Sequence, residues 1–134
     1  MRSESTKPRL VIADDEADIR RLIVFLLQRS YELYEAQDGR RALELVREVQ
    51  PDLALFDIMM PGMTGLEVLK AMRTDPLTAS IPVVFLSAKG QVAEIEAGLL
   101  GGATRYLIKP FESQMLRACI AEVLREDARA PVKE

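Results

Sequence analysis

The sequence predicts an α/β domain in which a parallel sheet is covered by helices on both faces. Three observations lead there. Short β-branched or apolar runs alternate with stretches of helical periodicity along the whole chain, turn-forming residues separate the two, and the middle runs are almost continuously apolar. A strand buried on both faces has no side to leave polar, whereas a strand of a half-open sheet alternates. With 134 residues, the chain suffices for one ordinary domain with a single core.

The strand-like runs cover residues 10–13, 31–36, 53–56, 82–86 and 106–108. After the first, Ile19, Leu22, Ile23, Leu26 and Leu27 share one helical face. After the second, Ala42, Leu45, Val46 and Val49 do so, and after the third Leu66, Leu69 and Met72 with the aliphatic stem of Lys70. The last helix carries Met115, Leu116, Cys119, Ile120, Val123 and Leu124. Breakers fall between the elements. Asp38-Gly39 precedes the second helix and Gln50-Pro51 ends it; Pro61-Gly62 opens the loop to the third; Gly101-Gly102 closes the fourth; Lys109-Pro110 precedes the fifth. The order is therefore βαβαβαβαβα. Residues 9–125 are expected to form the domain, between a polar tail over 1–8 and a second polar tail over 126–134 that Pro131 interrupts.

Composition narrows the chemistry. Apolar residues make up 49% and charged residues 29% of the chain, as in a globular domain. The net charge of −3 offers no basic field for direct nucleic-acid binding. The longest apolar run, residues 22–27, is far short of the roughly 20 residues of a membrane span. The first eight residues have no apolar signal core, so a cytoplasmic location without membrane partners is expected. The chain has no histidine, which removes Ser-His-Asp catalysis and His-based zinc sites. A single cysteine, Cys119, removes intramolecular disulfides and CxxC redox pairs. Carboxylates, hydroxyls, Lys, Arg, backbone groups and a bound ion remain.

Ligands of an open parallel sheet bind beyond the carboxyl ends of its strands. The first strand is followed there by Asp14, Asp15 and Glu16, the third by Asp57, the fourth by Ser87 and the fifth by Lys109. Singly, each has an ordinary use: acids favour a helix N-terminus, aspartate suits a turn, serine caps helices, and most lysines are solvated. Their joint placement points to chemistry. Carboxylates crowded together repel one another unless a cation joins them. A hard divalent ion such as Mg²⁺ takes oxygen ligands, lysine adds a point charge, and serine can donate to an oxyanion. An acid nucleophile, a metal and a lysine suit phosphoryl transfer to a carboxylate.

These residues resemble a known family. Asp14-Asp15 after the first strand, Asp57 followed by Met-Met-Pro-Gly-Met-Thr-Gly, Ser87-Ala88, and Gly-Ala-Thr-Arg-Tyr-Leu-Ile before Lys109-Pro110-Phe111 are together similar to the bacterial response-regulator receivers of two-component signalling. The likeness runs from about Arg9 to Arg125. It implies a flavodoxin-like five-stranded sheet in the order 2-1-3-4-5 with five helices on both faces. It implies Asp57 as phosphoacceptor, Asp15, Asp57 and the backbone carbonyl of Met59 as direct Mg²⁺ ligands, and Asp14 acting through a metal-bound water. It implies Lys109 paired with the phosphoryl group, Ser87 and Tyr106 as the switch pair, and a cis Lys109–Pro110 bond. The phosphate would come from a histidine kinase or a histidine phosphotransfer protein. Output would pass to a protein partner at residues 90–125, from a monomer or weak dimer. Such a chain phosphorylates and dephosphorylates its own aspartate and is not an enzyme with an external substrate.

Three departures qualify the resemblance. The DNA-binding subfamily with winged-helix effectors usually has acids where Thr104 and Arg105 stand, basic residues where Ile95 and Ala97 stand, and an acid and a base at Met115 and Cys119. Its salt-bridged dimer is therefore not expected. Met59, two after the acceptor, cannot orient an attacking water, and Lys89, two after Ser87, could shield a phosphoryl group; slow self-dephosphorylation follows. Two other readings compete. The chain could be the receiver piece of a larger regulator with a DNA-binding or catalytic effector. Alternatively, it could be a phosphatase similar to the haloacid dehalogenases, but their Asp-x-Asp is missing because Met59 holds the second place.

Overall fold

The structure, a computed structural model, describes residues 7–88 and 92–129. Five strands, β1 (Arg9–Ala13), β2 (Glu32–Ala36), β3 (Leu53–Asp57), β4 (Val83–Ala88) and β5 (Arg105–Lys109), alternate with α1 (Ala17–Leu27), α2 (Gly39–Val49), α3 (Gly65–Arg73), α4 (Val92–Leu100) and α5 (Ser113–Arg129). The strands form one parallel sheet in the order β2-β1-β3-β4-β5, as the resemblance implies. Helix α5 runs past residue 125 to Arg129, so part of the expected C-terminal tail is helical.

Side-chain alternation along the central strands builds two cores. Val11, Ala13, Ala54, Phe56, Val83 and Phe85 face α2, α3 and α4. Leu10, Ile12, Leu53, Leu55, Val84 and Leu86 face α1 and α5. Adjacent residues of a strand point to opposite faces, so a continuous apolar run is what a sheet sandwiched between helices requires.

Local signals set the helix ends. Asp38 accepts a hydrogen bond from the Arg41 amide at the start of α2, and Gln50 closes it in the left-handed region at φ 49°. Thr64 and Glu67 form a reciprocal capping box at the start of α3. The inward faces differ in part from the sequence reading. In α1, Ile23 and Leu27 are buried while Leu22 is 44% exposed, because the sheet meets the row of residues four apart that runs from Ile19. In α3, Val68 joins Leu69 and Met72 in the core, and Lys70 is exposed rather than packed by its stem. In α5, Met115 lies outside the core that takes Leu116, Cys119, Ile120 and Val123.

Helix α4 sits close to the sheet because it carries no side chain at Gly98, where a Cβ would lie 2.6 Å from Phe85 Cε2. Gly65, at the start of α3, meets the same ring from the other side: a Cβ there would lie 3.0 Å from Phe85 Cε1 and 2.5 Å from the Asp57 carbonyl oxygen. Phe85 thus bridges the segment behind Asp57 and the inner face of α4.

Candidate functional site

The carboxyl ends of β1, β3, β4 and β5 converge on one pole of the sheet. Asp57 is the last residue of β3 and Lys109 the last of β5, while Ser87 lies inside β4, one residue before its end. The strands run slightly longer than the apolar runs suggested because the register continues through them, pairing Asp57 with Leu86, Ser87 with Ile108 and Ala88 with Lys109. Parallel strands in register bring residues far apart in sequence to one level, which is how four separate segments supply one site.

The acids gather around the lysine. Carboxylate oxygens of Asp14, Glu16 and Asp57 lie within 4.8 Å of one another. Lys109 Nζ is 2.9 Å from Asp14 Oδ2, 2.9 Å from Glu16 Oε1 and 3.6 Å from Asp57 Oδ2. Asp14 is fully buried. Its other carboxylate oxygen accepts from the Glu16 amide at 2.9 Å, and its own amide donates to the Ala36 carbonyl at 3.2 Å, carrying the β1–β2 pairing one residue past the strand. Behind it, Arg20 Nη1 donates to the Asp14 carbonyl at 2.6 Å. Beside the acids opens a cavity of about 260 Å³ lined by Asp15, Glu16, Asp57, Met59, Ala88 and Lys109.

Proton affinities reflect the crowding. Burial, then the charge of Asp14, pushes the Asp57 carboxyl up to about 7, with Asp15 adding to the rise; Lys109 and the Met59 amide oppose it. Burial also raises Asp14, against the hydrogen bonds from Glu16 and Lys109. For Lys109, burial pulls the ammonium down, but its bonds to Glu16 and Asp14 and the charge of Asp57 more than offset this, so its pKa rises and it stays charged. A single lysine therefore neutralises only part of the charge these acids would carry. The donors are all oxygen and at least two of them are buried, a set suited to a hard divalent cation. The residues present fit Mg²⁺.

The expected site residues divide by position. Asp14, Asp57 and Lys109 are in mutual reach, and Asp15 and Met59 line the adjoining cavity, Met59 half exposed. Ser87 is buried in β4, its hydroxyl without a hydrogen-bond partner among the described residues. Tyr106 pairs with Phe85 across β4 and β5 and is 41% exposed. The Lys109–Pro110 bond is cis. Lys89 lies outside the described residues. Glu16 was visible as a third acid, but nothing in the sequence marked it as a partner of Lys109, 93 residues away. Arg20 went unmarked, since an arginine within an amphipathic helix has no local signature.

Comparison with known proteins gives a consistent picture. The sequence profile of the response regulator receiver domain matches residues 10–121. Among curated proteins, the DNA-binding response regulator MtrA of Mycobacterium tuberculosis is 33% identical over 131 residues, covering 97% of this chain and 56% of MtrA. The phosphate regulon transcriptional regulatory protein PhoB of Pseudomonas aeruginosa is 38% identical over 129 residues, covering 92% and 56%. The chain thus spans about half the length of these relatives. Among solved structures, a putative response regulator of Chloroflexus aurantiacus superposes with a TM-score of 0.85 at 32% identity, covering 90% of this chain and 99% of that one. The chemotaxis response regulator CheY4 of Vibrio cholerae does so with 0.82 at 32% identity, covering 88% and 99%.

Proposed function

The chain belongs to the response regulator receiver family, and from that premise we propose that it works as a Mg²⁺-dependent phosphoryl switch with Asp57 as acceptor. Members of the family are phosphorylated and dephosphorylated on their own chain and are not enzymes acting on an external substrate. The observation that carries the proposal is the convergence of Asp57 with Asp14, Glu16 and Lys109 beside one open cavity. Buried acids around one lysine leave an uncompensated charge that a divalent ion would meet.

Asp15, Asp57 and the Met59 carbonyl would hold Mg²⁺ directly, with Asp14 acting through a water, and the bound ion would offset charge on the phosphoryl oxygens. The phosphoryl donor is a phosphohistidine of a histidine kinase or phosphotransfer protein. An Asp57 carboxylate oxygen forms the new P–O bond as the P–N bond breaks, and the leaving imidazole takes up a proton. Lys109, already positioned by Asp14 and Glu16, pairs with the transferred group. Ser87, buried with a hydroxyl that has no partner among the described residues, gains an acceptor in the phosphoryl oxygens. A newly satisfied buried hydroxyl is a local change able to bias the packing around it. Tyr106 responds by moving inward. The signal leaves by way of residues 90–125, of which positions 90 and 91 lie outside the described residues. There Leu99, Tyr106, Ile108 and Met115 leave apolar surface exposed.

Two details follow. Met59 lines the cavity with a thioether unable to orient water, which supports slow self-dephosphorylation. Arg105 pairs with Glu126 of its own α5, which argues against its use in a salt-bridged dimer. Among the described residues no helix is long and apolar enough to cross a membrane, and the cytoplasm, where histidine kinases present their phosphohistidine, is the proposed location. A second reading rests on coverage: because the chain spans about half of relatives named as transcriptional or DNA-binding regulators, it would serve as the input half of a longer regulator.

Intact-mass measurement tests the function. Incubation with acetyl phosphate and Mg²⁺ is expected to add one phosphoryl mass, and Asp57→Asn or a chelator to abolish it. If neither acetyl phosphate nor a phosphorylated kinase yields an adduct, the proposal fails.

A further inference from the structure

Arg20 lies on the first turns of α1, facing the end of β2, and ties together three elements. Its Nη1 donates to the Asp14 carbonyl at 2.6 Å, and its Nε donates to Glu35 Oε1 on β2 at 3.3 Å. The arginine side chain is only 17% exposed and the glutamate 47%. Asp14 is consequently held at both ends of its backbone, by Ala36 through its amide and by Arg20 through its carbonyl. The neighbouring carboxylate is fully buried and belongs to the acid cluster.

We propose that Arg20, braced by Glu35, is a positioning residue that sets how tightly the acid loop of residues 14–16 takes a divalent cation. The inference rests on the Mg²⁺ reading above. An acid loop needs its carboxylates presented at fixed separation despite their mutual repulsion. The β1–α1 loop has no side-chain cap at Glu16, the residue preceding α1, so the guanidinium supplies the restraint from below. Guanidinium suits the task because its planar fork can bond a carbonyl and a carboxylate at once. Outer partners that orient metal ligands typically contribute 10–100-fold in affinity.

The alternative is that Arg20 acts only through its charge, and charge predicts opposite signs for the two members of the pair. Removing Arg20 leaves Glu35 unpaired and would draw Mg²⁺ in. Neutralising Glu35 leaves Arg20 unpaired and would repel it. Positioning predicts weaker binding in both. The pair lines an open cavity of about 440 Å³ with Ala36, Gln37 and Arg41, so truncation opens no void in either core.

Mg²⁺ affinity is measured by calorimetry on the wild-type chain, Arg20→Ala, Arg20→Lys and Glu35→Gln, with urea unfolding in chelator as the folding control. The expected result is a Kd raised roughly tenfold in Arg20→Ala, raised less in Glu35→Gln, and partly restored in Arg20→Lys. In acetyl phosphate reactions the Mg²⁺ midpoint should move by the same factor while the rate at saturating Mg²⁺ stays near wild type, a split that general destabilisation does not produce. If Arg20→Ala fails to fold, Arg20→Lys decides, because it keeps the charge and loses the planar fork: a Kd above wild type supports positioning, and an unchanged Kd overturns it. Tighter binding in Arg20→Ala, or unchanged binding in Glu35→Gln, overturns the inference and leaves the metal reading standing. A wild-type chain that binds no Mg²⁺ overturns both.

Discussion

Replacing Asp57 by asparagine should stabilise the metal-free protein, and by an amount that grows with pH. Burial, then the charge of Asp14, raises the Asp57 carboxyl to about 7 in the folded protein, against about 3.9 in an unfolded chain. Between those values the folded state keeps a proton that the unfolded state has released. Stability is therefore fullest below about pH 4, falls as the pH climbs, and has lost its full share once the pH passes about 7. Integrated over the window, the loss is about 1.5 kcal/mol at pH 5 and about 4 kcal/mol at pH 8. Asparagine is neutral throughout, of similar shape, and escapes the loss. Its advantage over wild type should widen by about 2–3 kcal/mol between pH 5 and pH 8. Urea unfolding of both proteins at the two pH values, in chelator, measures it. Adding Mg²⁺ at about a hundred times its Kd should return roughly 2.7 kcal/mol to wild type and less to the variant, which has lost a ligand. An advantage that is flat across pH, or larger at pH 5, would refute the assignment of Asp57 as a strained, crowded acid.

Other perturbations probe separate parts of the argument. Ser87→Ala should leave the unphosphorylated protein as stable as wild type, or more stable by up to about 1 kcal/mol, because the lost hydroxyl is buried and has no partner among the described residues; thermal unfolding checks this, and a large loss would mean the hydroxyl has a partner. Gly98→Ala should destabilise by roughly 1 kcal/mol even though alanine is the better helix former, because its Cβ would crowd the Phe85 ring. Phe85→Leu in the same chain should relieve the cost, as read by chemical denaturation. Met59→Asn should shorten the lifetime of the phosphorylated form by placing a water-orienting amide at the cavity, followed as the decay of the phosphoryl adduct by mass; an unchanged lifetime would remove Met59 from the account.

Much of the fold was legible because its signals are local. Strand length, apolar continuity over residues 53–56, and the breakers at Gln50-Pro51 and Gly101-Gly102 each act within a few residues. The rule that sites collect at the carboxyl ends of parallel strands placed Asp14, Asp57 and Lys109 at one pole, where their side chains meet. The inward faces of single helices were read less well. Leu22 and Lys70 were placed inside by periodicity alone. A helix with apolar residues on more than one side does not say which side the sheet will take, and that choice belongs to the packing.

The sequence by itself determined the α/β class, the order of elements and the inventory of chemical groups at the strand ends, since those depend on propensity, periodicity and residue type. Only the tertiary structure decided which groups meet. Lys109 lies 2.9 Å from Asp14 and Glu16 and 3.6 Å from Asp57. Arg20 reaches back to the carbonyl of Asp14 and across to Glu35. Phe85 fills the space that Gly65 and Gly98 leave open. These partners come from different crossover units, and their separations are set by strand order, register and the angle at which each helix docks. No window of sequence contains that information, because a hydrogen bond or a Coulomb interaction turns on an ångström or two that only the assembled sheet defines.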